Sequence, residues 1–110
     1  MGIGQEAYQK QGFMKVKILG SASRDLIDGY RFYETQAEGV GAYFLDSVYS
    51  DIDSLILSAG MHPVHFGNYH RLLSKRFPFA VYCRLEEQTV LVYAVLDCRR
   101  NPAWIRKRLT

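Results

Sequence analysis

The stretch "YHRLLSKRFPFAVYCRL", residues 69–85, sets His70, Arg71, Lys75, Arg76 and Arg84 among side chains that otherwise belong in a hydrophobic core. Arg99 and Arg100 follow at the end of a second apolar run, "TVLVYAVLDC". Cations beside aromatic rings suit two tasks. They clamp phosphate or carboxylate through charge-assisted hydrogen bonds, and they flank stacked bases. Arg71, Lys75, Arg76, Arg99 and Arg100, with Tyr82 as an aromatic neighbour, are therefore the candidate target- or partner-binding residues. Cations along an edge strand also block sheet-to-sheet aggregation, and spacing alone leaves both readings standing.

Other constellations carry less. His62 and His65 in "HPVH" have a spacing seen in metal sites, but Pro63 breaks any helix that would align them and no third ligand is near in sequence. No metal site is assigned. Cys83 and Cys98 fall on neighbouring predicted strands, where they are able to face each other; ordinary reduced thiols are expected. Nothing supplies a positioned nucleophile with its base, nor a phosphate-binding glycine loop, so no catalytic residue and no cofactor are assigned.

The elements that must position these residues follow from periodicity. "KVKIL" after Met14 alternates as a short strand does. A helix over residues 21–37 is predicted, with Ser21 and Ser23 as N-cap residues, Asp25 in the first turn, and Leu26, Tyr30, Tyr33 and Ala37 on one face. Gly29 in its interior predicts a close packing contact, since glycine there costs about 1 kcal/mol against alanine. A second helix, about 42–59, places Gly41, Leu45, Val48, Ile52, Leu55 and Ala59 together, with Asp46, Ser50, Asp51 and Asp53 off that face and Gly60 as its C′ residue. Two helices joined by a few Gly-containing residues make an antiparallel hairpin.

The last third changes period. "YHRLLSKR", "FAVYCRL" and "TVLVYAVLDC" read as strands, with "EEQ" as a hairpin connection between the last two. Val81, Cys83 and Leu85 share one face; Ala80, Tyr82 and Arg84 share the other. "NPAWIRKRL" closes with a helix capped by Asn101 and started by Pro102. The order is β-α-α-β-β-β-α, an α+β domain with the helical hairpin packed on one face of the sheet.

Composition agrees with that size and class. The 110 residues are 48% apolar, enough for one compact domain, and no apolar run approaches the roughly 20 residues of a membrane span. The net charge of +3 divides unevenly: residues 1–68 carry −3 and residues 69–110 carry +6, which predicts a basic face that attracts phosphates or acidic partners. "MGIGQEAYQKQGF" shows neither period nor export-signal pattern, and the two cysteines suit a reducing compartment, so a cytoplasmic protein is expected. Residues 1–13 are read as an N-terminal extension to a domain at 14–110, with Met14 as an alternative start.

Four segments then resemble one known family. "SASRDLIDGYRFYETQ", "GVGAYFLDSVYSDIDSL", "HPVHFGNYHRLLSKRFPFAVYCRL" and "VYAVLDCRRNP" are similar in order and separation to the RelE/ParE toxins of type II toxin–antitoxin systems, the plasmid stabilisation proteins. The resemblance runs from Met14 to about Leu109. It implies a small β-α-α-β-β-β fold and a growth-inhibiting toxin neutralised by a cognate acidic antitoxin. It also implies one of two targets. Nuclease members cut mRNA on the ribosome and carry patterns such as Y-K-x-K and Y-R-L-V-Y on two adjacent strands. This chain has Leu72 in place of one of those cations, and Phe79 where the nuclease arginine would stand, while Arg99 matches the basic residue ending the last strand. Asp97 stands where relatives often have histidine. The wording "KRFPF" and "RRNP" is nearer the branch that poisons DNA gyrase. The resemblance thus implies a gyrase-poison toxin; the alternatives are a ribosome-dependent endoribonuclease and a non-toxic protein-binding module.

Overall fold

The computed structural model describes residues 8–10, 14–65 and 67–110. Strand β1 (Tyr8–Lys10) and β2 (Met14–Ile18) precede two helices, α1 (Gly20–Gln36) and α2 (Val40–Ser58). A 3-10 turn (Ala59–Met61), β3 (Val64–His65), β4 (Tyr69–Leu73), β5 (Phe79–Glu86), β6 (Thr89–Asp97) and α3 (Pro102–Arg108) follow. The sheet order is β1-β2-β6-β5-β4-β3. Only β2 and β6 run parallel among these neighbours. The α+β order expected from sequence is present, with two short strands added at the sheet edges. One of them, Tyr8–Lys10, lies within the segment read as an extension and pairs with β2; the rest of that segment lies outside the described residues.

The helical hairpin covers one sheet face. Leu26, Phe44, Val48, Ile52 and Leu55 of the helices meet Val16, Val81, Cys83, Val90, Val92 and Val95 of the strands in a core that excludes water. At 20–33 cal/mol per Å2 of apolar area, burial of this kind is the main favourable contribution to folding. The other face is only partly covered: α3 lays Ile105 and Leu109 against Ala80, Tyr82, Ala94 and Leu96. β5 is therefore buried on both sides from Phe79 to Cys83, with the alternation read from its sequence, while Leu85 near its end is exposed. Asn101 accepts from the Ala103 N–H at 2.7 Å, and Pro102 opens α3, both as expected.

Helix α1 begins differently from the sequence reading. It starts at Gly20 after an extended Leu19, with no side-chain cap. The Ser21 hydroxyl instead donates to the Tyr93 carbonyl at 2.8 Å. Asp25, expected at the first turn facing the helix dipole, is buried and accepts from the Val95 N–H at 3.0 Å. The reason lies in the sheet. β2 pairs with β6 only as far as Val92, then turns into α1, while β6 runs on to Asp97. A buried backbone group needs a partner, and α1 supplies one to the Val95 N–H from Asp25 and adds Ser21 at the more exposed Tyr93 carbonyl.

The start of α2 is capped from the preceding helix. The Glu34 carboxylate accepts from the N–H groups of Gly39 at 3.0 Å and Gly41 at 2.9 Å, placing negative charge at the positive end of the helix. Gly39 has φ +89°, a conformation few other residues adopt readily. At its far end α2 tightens into the 3-10 turn, so Gly60 does not serve as a left-handed C′ residue, contrary to the sequence reading.

Gly29 makes the close contact its position predicts. A Cβ there would lie 2.5 Å from Phe44 Cζ, and Phe44 has no room to yield, being fully buried against Tyr33, Phe77 and Phe79. Gly29→Ala should therefore destabilise the fold by about 2 kcal/mol, despite the ~1 kcal/mol gain in helix propensity. Urea unfolding checks the sign; a higher midpoint for the alanine variant would contradict this packing.

Candidate functional site

The six candidate residues divide between two places. Arg71 on β4 lies directly opposite Tyr82 on β5, on the sheet face that α3 partly covers. Tyr82 is buried; burial pushes its phenol up, and a hydrogen bond with Arg71 offsets part of that. Arg99 belongs to the same end of the sheet, where it and Arg71 both act on the Cys98 thiol. Arg99 is clamped by Asp97: Nε donates to Oδ1 at 3.0 Å and Nη2 to Oδ2 at 2.7 Å. The Arg99 hydrogen bonds hold the Asp97 carboxyl below the usual carboxylate range. Tyr33 of α1 reaches the same guanidinium, its phenol raised by burial against the pull of Arg99.

Arg100 turns towards α3. Its guanidinium sits 3.8 Å from the centroid of the Trp104 ring, a cation–π stack. Both residues line a cleft of about 330 Å3 between α1 and α3, with Phe32, Asp28 and Asp97 on its walls.

Lys75 and Arg76 stand elsewhere. β4 ends at Leu73, and the 74–78 loop carries them over α2. Arg76 donates to the Tyr43 hydroxyl at 2.9 Å and lies over that ring at 5.9 Å. The next residues explain the placement. Phe77 drops between the helices, 4.8 Å from Tyr33 and 5.2 Å from Phe44, and Phe79 follows at 4.9 Å from Phe44. The aromatic anchors thus fill the core while the two cations remain outside. The structure puts Arg71 against Tyr82, holds Arg99 on Asp97 and Tyr33 and Arg100 on Trp104 of α3, and carries Lys75 and Arg76 away to α2.

Phe79, at the position of the family's nuclease arginine, is 7% exposed and faces the helices. His70, neighbour to Arg71 in sequence, has its Nδ1 2.8 Å from the His62 carbonyl. His62 Nε2 lies 3.2 Å from the Ser58 hydroxyl. The two cysteines do not face each other: Cys83 lies opposite Val92 in the main core, and Cys98 follows the end of β6 at the surface.

Sequence reasoning missed three charged groups. Arg84 lies over both Tyr69 and Tyr93, 5.2 and 5.6 Å from their centroids, while the two rings meet edge to face at 5.3 Å. Alternation put it on this face, but Tyr93 arrives there through a bulge: Tyr82 opposes Ala94 and Cys83 opposes Val92, leaving Tyr93 as the extra residue. Arg108 donates two hydrogen bonds of 2.9 Å to Asp25, from 83 residues away. Asp51, read as lying off the apolar face of its helix, is buried.

With this geometry in hand, comparison with known proteins is informative for the fold. No protein-family model and no curated protein matches the sequence. A chain of the chromosomal ParDE TA system from P. aeruginosa superposes with a TM-score of 0.70 at 17% sequence identity, covering 76% of this chain and 94% of that one. The two chains share a fold. The RelE/ParE-like α+β architecture implied by the sequence resemblance is thus the one observed.

The thiols offer a direct check on the sheet faces. Burial pushes the Cys83 thiol up to about 11; partial burial raises the Cys98 thiol as well, against the pull of Arg71 and Arg99, but Cys98 is exposed to reagent. A thiol-reactive disulfide reagent at pH 8 should modify Cys98 quickly and Cys83 only after denaturation. Rapid native modification of Cys83 would contradict the placement of β5.

Proposed function

We propose that this chain is the toxin of a type II toxin–antitoxin pair, acting by binding its target rather than by cutting RNA, and more specifically as a gyrase poison. The observation that carries the reading is the fold shared with the ParDE chain over nearly all of that chain's length. Site chemistry favours binding over cleavage. Attack of a 2′-hydroxyl on phosphate needs a base and a positioned cation beside the developing charge. Position 79 supplies phenylalanine to the core, Asp97 already neutralises Arg99, and His70 is engaged with the His62 carbonyl.

On this reading residues 14–110 form the toxin unit, with 1–13 an extension, and the protein works in the cytoplasm. Among the described residues no helix is long and apolar enough to cross a membrane. Arg71 and Arg100, with Lys107 of α3, form the surface that a cognate acidic antitoxin covers, while Arg99 and Arg108 are held by Asp97 and Asp25 within the chain. An acidic segment that folds on binding would neutralise these charges and silence the toxin. Lys75 and Arg76 contribute a separate contact over α2.

Induced expression in a bacterial host should arrest growth, and the purified protein should inhibit supercoiling by gyrase. Arg71→Ala should weaken that inhibition roughly tenfold, the scale of one lost charge-assisted hydrogen bond. Normal growth with soluble, folded protein would overturn the toxin reading. Unchanged supercoiling together with codon-dependent cuts on translating ribosomes, lost in Arg99→Ala, would move the chain to the nuclease branch.

A further inference from the structure

The two buried carboxylates among the described residues are treated differently. Asp25 receives hydrogen bonds from Arg108 and from the Val95 N–H. Asp51 on α2 is 6% exposed, and its Oδ2 is buried with no hydrogen-bond partner among the described residues. The Ser54 hydroxyl bonds to the Asp51 backbone carbonyl, not to the carboxylate. A buried carboxylate oxygen left without a donor is unfavourable and calls for an explanation.

Asp51 forms part of the wall of a pocket of about 430 Å3 between α2 and the 74–78 loop. Asp46 and the Ser47 and Ser50 side chains share the α2 wall with it. Lys75 and Arg76 form the other wall. Arg76 is held by the Tyr43 hydroxyl at 2.9 Å, and it attracts Asp51 across the pocket without a hydrogen bond between them among the described residues. The pocket therefore keeps two carboxylates on one side and two cations on the other. Its size lies within the range of small-molecule sites.

We infer that this pocket binds a group carrying both charges, a guanidinium or ammonium with a carboxylate nearby, as in a cationic amino acid or an adjacent basic–acidic pair in a peptide. The cationic nitrogen meets the Asp51 carboxylate from the pocket side, through Oδ1 rather than the sealed Oδ2, with Asp46 and the serine hydroxyls around it. The carboxylate is received by Lys75 and Arg76. A metal ion would meet two protein cations, and a simple anion would meet two carboxylates; a zwitterion complements both walls. This site goes beyond the toxin reading and stands independently of it.

Titration of the full isotope-labelled chain by heteronuclear NMR tests it, using L-arginine, agmatine, acetate and the blocked dipeptide acetyl-Arg-Glu-amide. Saturable shifts confined to residues 43–51 and 74–77 are expected with L-arginine or the dipeptide, the tighter of the two showing whether the source is a free amino acid or a peptide. Agmatine, which lacks the carboxylate, and acetate, which lacks the cation, should each bind several-fold more weakly. Asp51→Asn should weaken binding roughly tenfold, as loss of a charged acceptor does. Lys75→Met, a surface change that leaves the core untouched, should erase the preference for L-arginine over agmatine. Absence of saturable shifts at about 10 mM, far above a useful affinity, would overturn the proposal, as would undiminished binding by folded Asp51→Asn. Neither result bears on growth arrest or gyrase inhibition.

Discussion

β6 outruns its parallel partner. β2 accompanies it from Thr89 to Val92 and then turns away, leaving the strand's last residues with an open edge inside the protein. A strand edge buried without hydrogen bonds is costly, and the cost rises when the groups are sealed from water. Side chains of α1 meet it, Ser21 at the Tyr93 carbonyl and Asp25 at the Val95 N–H. Asp25 thereby becomes a buried carboxylate in need of its own partner. Arg108, itself partly exposed, provides it with both Nη atoms, and removing Arg108 would leave the buried Asp25 carboxylate without its cation, which is costly. Because Arg108 belongs to α3, the bond joins the layers on opposite faces of the sheet.

The charged end of the molecule is arranged around that junction. Asp97 and Arg99 follow directly from the stretch of β6 that Asp25 holds, and Tyr33 reaches Arg99 from the same helix that carries Asp25. Trp104, under Arg100, lies one turn from Arg108 on α3 and touches both guanidinium groups. Displacing α3 would uncover Tyr82 and with it the neighbour of Arg71. Lys75 and Arg76 answer to a different anchor, the insertion of Phe77 and Phe79 into the aromatic cluster around Phe44. Cations thus border a core run for two reasons: some face outward from a strand whose other face is buried, and some precede aromatic side chains that anchor a loop.

Local patterns in the sequence carried the fold a long way. The spacing of Leu26, Val48, Ile52 and Leu55 identified the helix faces, and the alternation of Val81 and Cys83 against Ala80 and Tyr82 identified both sides of β5. Asn101 and Pro102 marked the start of α3. The site was legible only in part. Four residues separate Arg71 from Arg76, and nothing in that spacing tells that β4 stops at Leu73 before the loop crosses to α2. Asp25 has the position of a helix-dipole carboxylate, and its true partner depends on a tertiary contact 83 residues distant. Tyr93 reaches Arg84 because of a one-residue bulge, which no run of β-branched residues announces. Asp51 lies beside Ile52 in sequence, and its burial follows from the packing around α2 rather than from hydropathy.

The central claim is that Asp25 and Arg108 stabilise the fold as a pair across the layers. A double-mutant cycle with Asp25→Asn and Arg108→Met, read by urea unfolding, measures this directly. A coupling energy of about 2 kcal/mol is predicted, with each single variant also speeding amide exchange in residues 102–109. Additive effects, with coupling near zero and α3 as protected as in the parent, would contradict the account.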